Sequence, residues 1–258
     1  MGVLELFNLN GEKALVTGAA SGLGRAMAIA LAEAGADVAV ADMNMDGAEK
    51  VVEEIHTRGR DSFAIKVNVA QSSQVDEMVK KTVDKFGKLD IAINNAGIAA
   101  GAPAEEMSDE LWRKIIDVDL TGVFFCARAE AQEMIKKKNG SIINIASLTG
   151  SVINGGVIGL SAYASAKAGV KMLTKALATD WAKYNIRVNS ISPGVMNTAI
   201  NAEVLTDKEL YDKVRNYTPL RRMGEPHELG GMAVFLASSA SSFITGSDLF
   251  VDGGVSIW

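Results

Sequence analysis

Cysteine, histidine and proline are scarce in this chain of 258 residues, which contains one, two and four of them. Because Cys126 has no partner, an intrachain disulfide is excluded, and the apolar residues around it predict a place in the core. His56 and His227 are isolated, and neither belongs to a cluster with metal-ligand spacing. We therefore expect no metal site.

Long apolar runs and a surplus of positive charge are also missing. The chain starts without a basic segment followed by an apolar one, and no later stretch is continuous enough to span a bilayer. The net charge is -5, and the one basic block, Lys136 to Lys138, fits the end of a helix. These absences predict a cytoplasmic protein with no nucleic-acid or membrane partner.

Apolar residues and glycine are plentiful, at 48% of the chain and 25 residues respectively. The length is sufficient for one large α/β domain, and no linker divides it, so residues 1–258 are predicted to form a single domain. The glycines lie in short clusters between apolar runs, which is typical of turns in a compact protein.

Short β-branched apolar runs alternate with longer segments of helical periodicity. The runs are Ala14 to Val16, Val38 to Ala41, Phe63 to Val67, Ile91 to Ile93, Ile142 to Ile145, Arg187 to Ile191 and Leu249 to Val251. This pattern predicts a single-domain Rossmann-type α/β fold, with a doubly wound sheet of about seven parallel strands and helices on both faces. The more polar segment from Thr198 to Met223 is predicted to be an insertion over the ligand crevice.

A glycine-rich loop, Thr17 to Gly24, joins the first predicted strand to a helix. Such glycines let the backbone approach a dinucleotide pyrophosphate, which the helix N-terminus stabilises; a plain turn is the alternative. Asp42 favours the cofactor interpretation, because a carboxylate at the end of the second strand accepts both ribose hydroxyls and repels a 2′-phosphate. No cation occupies Ser21 or Met43, so NAD is predicted over NADP.

Tyr163 and Lys167 are four residues apart on a predicted helix, and Ser147 precedes them by sixteen residues. Side chains at this spacing are neighbours on a helix, so the lysine charge favours the tyrosinate and produces an acid/base group. The alternative is a half-buried ring beside a solvated lysine, which is common in helices. The surrounding motifs decide between the two.

Together these motifs resemble the classical short-chain dehydrogenase/reductase family over essentially the whole chain, and most closely its sugar and polyol dehydrogenases. The resemblance rests on Thr17 to Gly24, Asn94 to Gly97, Ser147, Tyr163 to Lys167, Ser192 to Gly194 with Thr198, and Val251 to Gly254. It implies an enzyme that transfers hydride between a nicotinamide cofactor and a small-molecule substrate.

The resemblance also implies a role for each matching residue. Tyr163 would exchange a proton with the substrate oxygen, Lys167 would favour the tyrosinate, and Ser147 would donate to the substrate oxygen. The cofactor would be held by Gly18, Ser21, Gly22, Leu23, Gly24, Asp42, Asn68, Val69, Asn95, Ala96, Gly97, Tyr163, Lys167, Pro193, Gly194, Val195 and Thr198.

Two residues depart from the family pattern in the catalytic and cofactor regions. Asp119 stands where the family usually has the asparagine of a proton relay. Its charge would favour a protonated Lys167 and disfavour the tyrosinate, so we expect an altered relay. Asn68 replaces an aspartate that contacts the adenine amino group, and its amide carbonyl can make the same contact.

A third departure is the spacing between Ser147 and Tyr163, which is longer than usual in the family. The additional residues predict a reshaped pocket, with Asn154 as a candidate substrate contact. Together with Asp42 and the C-terminal Ser256 to Trp258, which resembles the end of polyol and sugar dehydrogenases of the family, this favours an NAD-dependent dehydrogenase of a polyol, sugar or sugar acid.

Two other functions stay open. The same scaffold serves 3-oxoacyl-thioester reductases, although these normally use NADPH and a basic patch for an acyl carrier, and neither is evident in the sequence. The third class is a regulatory module that binds the cofactor without turnover, which the unusual Asp119 leaves open. By the resemblance, the helices at Asp109 to Lys137 and Ser161 to Tyr184 would pair in a homotetramer.

Overall fold

The structure is a computed structural model and describes residues 2–153 and 159–257. Its strands form one parallel sheet in the order β3-β2-β1-β4-β5-β6-β7. They are β1 (Lys13–Thr17), β2 (Asp37–Asp42), β3 (Ser62–Lys66), β4 (Ile91–Asn94), β5 (Gly140–Ile145), β6 (Ile186–Pro193) and β7 (Asp248–Val251). The predicted doubly wound α/β fold is confirmed, and each strand lies on one of the predicted apolar runs.

Helices cover both faces of this sheet. The helices of the described residues are α1 (Gly22–Glu33), α2 (Met45–His56), α3 (Ser72–Phe86), α4 (Asp109–Ile116), α5 (Gly122–Lys137), α6 (Ser161–Trp181), α7 (Ala202–Thr206), α8 (Lys208–Tyr217) and α9 (Gly230–Ala237). Helices α1, α2 and α9 share one apolar cluster with the sheet, whereas α3, α5 and α6 share the other. No helix in the described ranges combines the length and the apolar character that crossing a membrane would require.

The strands are apolar on both sides because each side meets a helix layer. In β2, Val38 and Val40 pack in the cluster that contains Met27 of α1. Ala39 and Ala41 point the other way and belong to the cluster of α3 and α5. Alternating side chains therefore enter two different cores, which explains the nearly continuous apolar runs in the sequence.

The order of the strands reverses beside β1, which pairs with β2 on one side and with β4 on the other. The loops that leave β1 and β4 consequently diverge to opposite faces of the sheet. In open α/β sheets this divergence opens a crevice at the carboxyl ends of the strands, and ligands bind there.

The predicted long helix from Asp109 to Lys137 is present, but a π-helical turn at Asp117–Thr121 separates α4 from α5. Such wide turns occur mostly as single interruptions and are frequent at functional sites. The segment predicted as an insertion, Thr198 to Met223, contains the short helices α7 and α8 and no strand. Its relation to a bound ligand stays a prediction.

Candidate active site

A cavity of about 1030 Å³ opens at the carboxyl ends of the strands, on the crevice beside β1 and β4. It brings together most of the residues predicted from the sequence. Those on its wall are Gly18, Ser21, Gly22, Leu23, Asp42, Asn68, Val69, Asn95, Ala96, Gly97, Asp119, Ser147, Tyr163, Lys167, Pro193, Gly194 and Thr198. Residues separated by as many as 180 positions in the sequence thus line one space.

Two predicted cofactor residues lie off the wall of this cavity. A Cβ atom on Gly24 would lie 2.2 Å from the carbonyl oxygen of Gly18, so this glycine allows close packing of the loop on α1. Val195 lines a separate cavity, and its carbonyl accepts the amide of Gly224 at 3.0 Å. Asn154 and Trp258 lie outside the described residues.

The glycine loop is fixed by the turn that follows β4. The Asn95 side-chain amide donates to the carbonyls of Thr17 at 3.1 Å and Gly18 at 3.0 Å. The Thr17 hydroxyl in turn accepts the backbone N–H groups of Asn95 at 3.1 Å and Ala96 at 3.2 Å. These contacts satisfy buried backbone groups and hold the two diverging loops at a set distance.

Asp42 closes one end of the cavity. Its carboxylate accepts the backbone N–H of Ala20 at 3.0 Å through Oδ2 and that of Asn44 at 2.9 Å through Oδ1. Each oxygen keeps a lone pair for another donor. The nearest arginine of α1, Arg25, forms a bidentate pair with Glu54 at 3.0 and 2.5 Å, so its charge is already matched.

Lys167 is held by two groups at the other end of the cavity. Its Nζ donates to the carbonyl of Ile145 at 3.1 Å and lies 3.3 Å from Oδ1 of Asp119. The same Nζ is 5.7 Å from the centroid of the Tyr163 ring, one turn earlier on α6. The lysine is 4% exposed, so its charge acts in surroundings that solvent screens little.

Asp119 is fully buried and lies in the π-helical turn. Burial raises the pKa of its carboxyl group, while the charge of Lys167 and the backbone N–H of Ile98 lower it part of the way. That N–H lies 3.3 Å from both carboxylate oxygens. The predicted interaction between Asp119 and Lys167 is therefore present as a buried ion pair.

Ser147 is placed by a short 3-10 turn, Leu148–Gly150, which it caps. Its Oγ accepts the N–H of Thr149 at 3.1 Å, which leaves the hydroxyl proton available to another acceptor. A Cβ atom on Gly150 would lie 2.7 Å from the backbone of Lys167. The serine turn thus packs directly on α6 and fixes the distance between Ser147 and the Tyr163–Lys167 pair.

Sequence reasoning missed a buried polar network directly behind these residues. Asn94 donates through Nδ2 to Oε2 of Glu130 and to Oδ1 of Asn144, both at 3.0 Å. Asn144 then donates to the hydroxyl of Thr174 at 3.0 Å. The available signal was an acidic residue, Glu130, among the apolar positions of a helix that faces the sheet.

Comparison with known proteins supports an enzymatic role for this cavity. A family model described as Enoyl-(Acyl carrier protein) reductase matches residues 18–256. The 2-dehydro-3-deoxy-D-gluconate 5-dehydrogenase of Formosa agariphila is 39% identical over 254 residues, which are 98% of this chain and 95% of that protein. A 3-oxoacyl-[acyl-carrier-protein] reductase of Staphylococcus epidermidis is 41% identical over 246 residues, or 95% of this chain and 98% of that one.

A solved structure extends the likeness to the complete fold. The gluconate 5-dehydrogenase of Burkholderia cenocepacia, solved with NADP and tartrate, superposes with a TM-score of 0.95 at 36% identity. The alignment covers 100% of both chains.

Proposed function

The chain belongs to the short-chain dehydrogenase/reductase family, and on that premise we propose that it interconverts a secondary alcohol and a ketone with NAD(H). The proposed substrate class is a polyol, sugar or sugar acid. The observation that carries the proposal is that Ser147, Tyr163 and Lys167 line the same cavity as the glycine loop and Asp42. A proton-transfer group and a dinucleotide site therefore face one space.

The residues around the glycine loop fit a dinucleotide. Ser21 precedes α1 without making a side-chain capping hydrogen bond, so the first N–H groups of this 12-residue helix are left for a pyrophosphate. Asp42 supplies acceptors for ribose hydroxyls, and Asn95 to Gly97 flank the path between the two ends. When bound, the nicotinamide ring supplies or accepts the hydride.

The protein's own part in the reaction is proton transfer. The Ser147 hydroxyl donates to the substrate oxygen and orients it. In the oxidation direction the Tyr163 phenolate takes the alcohol proton, and in reduction the phenol returns it. The Lys167 charge stabilises the phenolate, and Ile145 and Asp119 keep that charge in position.

Replacement of the phenol tests the acid/base assignment. Tyr163→Phe is expected to lower kcat by about 10²–10⁴-fold, the range for loss of a general acid/base group. NADH binding, measured by fluorescence titration, is expected to persist. Tyr184→Phe removes a phenol from the 3-10 turn after α6 and serves as the matched control. Turnover near the wild-type rate in Tyr163→Phe would contradict the assignment.

Cofactor preference is tested at Asp42. Asp42→Ala is expected to reduce the kcat/KM ratio of NAD to NADP by about tenfold or more, because ribose hydrogen bonds are lost and the repulsion of a 2′-phosphate disappears. The control is Asp46→Ala, which removes an exposed carboxylate from the first turn of α2. An unchanged ratio would remove the support for NAD, and the NADP in the related Burkholderia structure makes this comparison informative.

Reduction of a 3-oxoacyl thioester is the second candidate, favoured by the 41% identity to the Staphylococcus reductase. A substrate panel with NAD(H) and NADP(H) separates the two: turnover of acyl thioesters alone would replace the proposed substrate class. A module without turnover is disfavoured because the complete set of Ser147, Tyr163 and Lys167 lines one cavity.

We also propose that the chain forms a homotetramer. Trp112, Phe124 and Met172 lie exposed on the outer faces of α4, α5 and α6, the helices expected to pair between subunits. Phe125, in contrast, packs against the core. The sedimentation mass of the purified protein tests this assembly.

A further inference from the structure

At the substrate end, the described wall of the cavity includes Ile98 and Ala99 after β4, Ala146 and Ser147 after β5, and Met196 and Thr198 to Asn201 after β6. Beyond these residues, the chain after β4 contacts the chain before α6, since a Cβ atom on Gly101 would lie 2.1 Å from the carbonyl oxygen of Gly159. Ile98, Met196 and Ile200 contribute apolar side chains to the cavity wall. These side chains lie beside a substrate that reaches Ser147 and Tyr163.

The sequence ranges that follow the three strands, 98–107, 148–160 and 195–206, contain no lysine or arginine, and they carry three glutamates, Glu105, Glu106 and Glu203. This is a property of the sequence and includes residues 154–158. Lys167 is the cation next to the reacting groups, and Asp119 at 3.3 Å already balances its charge. Among the described residues, the catalytic end therefore offers an anionic substrate no unmatched positive charge.

Two further cations lie along the described part of the cavity wall, both on α4. Arg113 is 75% exposed in its side chain, and its guanidinium lies 3.6 Å from the carboxylate of Asp109. Lys114 is also exposed. Three acidic residues of the same stretch, Asp109, Glu110 and Asp117, line the wall beside them. This part of the cavity is a solvated surface with more negative than positive charge.

Recognition of a carboxylate inside a cavity needs a desolvated cation, because the charge must be compensated when it leaves water. We propose that the substrate is electrically neutral, a polyol or an uncharged sugar, and that the cavity discriminates against sugar acids. This inference rests on the proposed function and narrows its substrate class. It separates this chain from the relatives whose names refer to gluconates.

Matched pairs of substrates test the inference on the purified full-length protein. D-glucitol against D-gluconate and galactitol against D-galactonate keep the chain length and hydroxyl arrangement while changing the charge. L-sorbose against 5-keto-D-gluconate tests the reverse direction. We expect kcat/KM of the neutral member to exceed that of the acid by at least about tenfold.

Equal or higher kcat/KM for the acids would overturn the inference and leave the proposed function intact. Absence of turnover with every secondary alcohol and ketone, with either cofactor, would overturn both. A selective loss of acid turnover in Arg113→Gln would also overturn the inference, because it would assign carboxylate recognition to α4.

A cation introduced into the wall provides the complementary test. Ala99 lines the cavity and is exposed, two residues beyond Gly97, whose Cβ would lie 3.5 Å from Lys167 Nζ. Ala99→Arg is expected to shift the ratio of acid to neutral kcat/KM upward by about tenfold, whereas Ala99→Gln adds similar bulk without charge and should not. An equal shift in both variants, or none in the arginine variant, would count against charge as the basis of selection.

Discussion

The continuous helical segment formed by α4, the π-helical turn and α5 carries two buried carboxyl groups that have different partners. Asp119 faces the cavity, and Glu130 faces the core three turns later; both are fully buried. Asp119 has Lys167 as an ionic partner, whereas Glu130 receives one hydrogen bond from Asn94. Burial raises the pKa of both groups, and that of Glu130 reaches about 8. Charge compensation, rather than depth, thus distinguishes the two sites.

A protonated Glu130 also explains why two buried oxygen atoms in this network have no hydrogen-bond donor in the described part of the chain. Oε1 of Glu130 and Oδ1 of Asn94 are buried, and neither has a hydrogen-bond partner among the described residues. If Glu130 is ionised, both atoms are acceptors and cannot bond to each other. A carboxylic acid has one O–H to donate, and Asn94 Oδ1 is available to receive it. Cys126, the neighbouring titratable group one turn earlier, is also neutral because burial raises the pKa of its thiol. With its pKa raised to about 8 by burial, the carboxyl group of Glu130 is mostly protonated at pH 7.

The largest effect is expected when Asp119 loses its cation and so becomes, like Glu130, a buried acid without an ionic partner. In Lys167→Met, Asp119 becomes an unpaired buried acid like Glu130, and its pKa is expected to rise further. We expect a loss of about 3–5 kcal/mol in the free energy of unfolding at neutral pH, as for a buried pair that loses one partner. Turnover should fall by at least about 10²-fold because the tyrosinate loses its cation. Urea denaturation and initial rates measure the two effects.

The sign of the pH dependence distinguishes this explanation from a simple packing defect. A carboxyl group whose pKa is raised by folding stabilises the fold below its unfolded pKa, near 3.8 for Asp119, and this stability is lost as pH rises through the folded value. Lys167→Met should raise the folded pKa of Asp119 further and so widen the pH range over which this stability is lost. Lys175→Met is the control, because it removes an exposed lysine of the same helix. Identical pH dependence in the two variants would contradict the role given to Asp119.

The position of several residues on the cavity wall could be predicted from local chemistry. A glycine loop between strand and helix, Asp42 at a strand end and the Tyr163–Lys167 spacing each specify an environment through a few neighbouring residues. The fold followed similarly, since two apolar cores require strands that are apolar on both sides. These features can be read without knowledge of distant contacts.

Other features depend on contacts between distant parts of the chain. The π-helical turn at Asp117–Thr121 has no marker in the sequence. The position of Val195 off the cavity wall depends on pairing near Gly224, and the environment of Glu130 depends on side chains from β4, β5 and α6. Asn154 stays a prediction, since it lies outside the described residues. Tertiary packing, rather than local propensity, decides such positions.

Glu130→Gln sharpens the contrast at the core site. The amide resembles the neutral acid in shape and hydrogen bonding but does not ionise. Because folding raises the pKa of Glu130 from 4.5 to about 8, the wild-type protein should lose stability as pH rises between these values. The slope should approach 1.4 kcal/mol per pH unit for one proton. The variant should lack this pH-dependent loss of stability. Urea denaturation at pH 5–9 should therefore show that the free energy of unfolding of the variant increases relative to that of the wild type as the pH rises.

The control for this measurement is Glu133→Gln, on the same helix, which removes a carboxylate paired with Lys136 near the surface. Its stability should follow the wild-type pH dependence. Parallel curves for wild type and Glu130→Gln would show that Glu130 is ionised in the folded protein and that the two buried carboxyl groups are alike.

Asp119→Asn tests the cavity site with the smallest expected effect. The amide keeps an acceptor for Lys167 and removes the negative charge that opposes formation of the tyrosinate. The rise of alcohol oxidation with pH should therefore begin about one pH unit lower, equivalent to about 1.4 kcal/mol of electrostatic free energy. Initial rates from pH 6 to 10 with saturating NAD measure this shift, and Asp117→Asn, in the same π-helical turn, is the control. An unshifted profile would mean that Asp119 is already protonated in the wild-type protein. Asp119 and Glu130 would then both be neutral, and the contact between Asp119 and Lys167 would hold the lysine in place without balancing its charge.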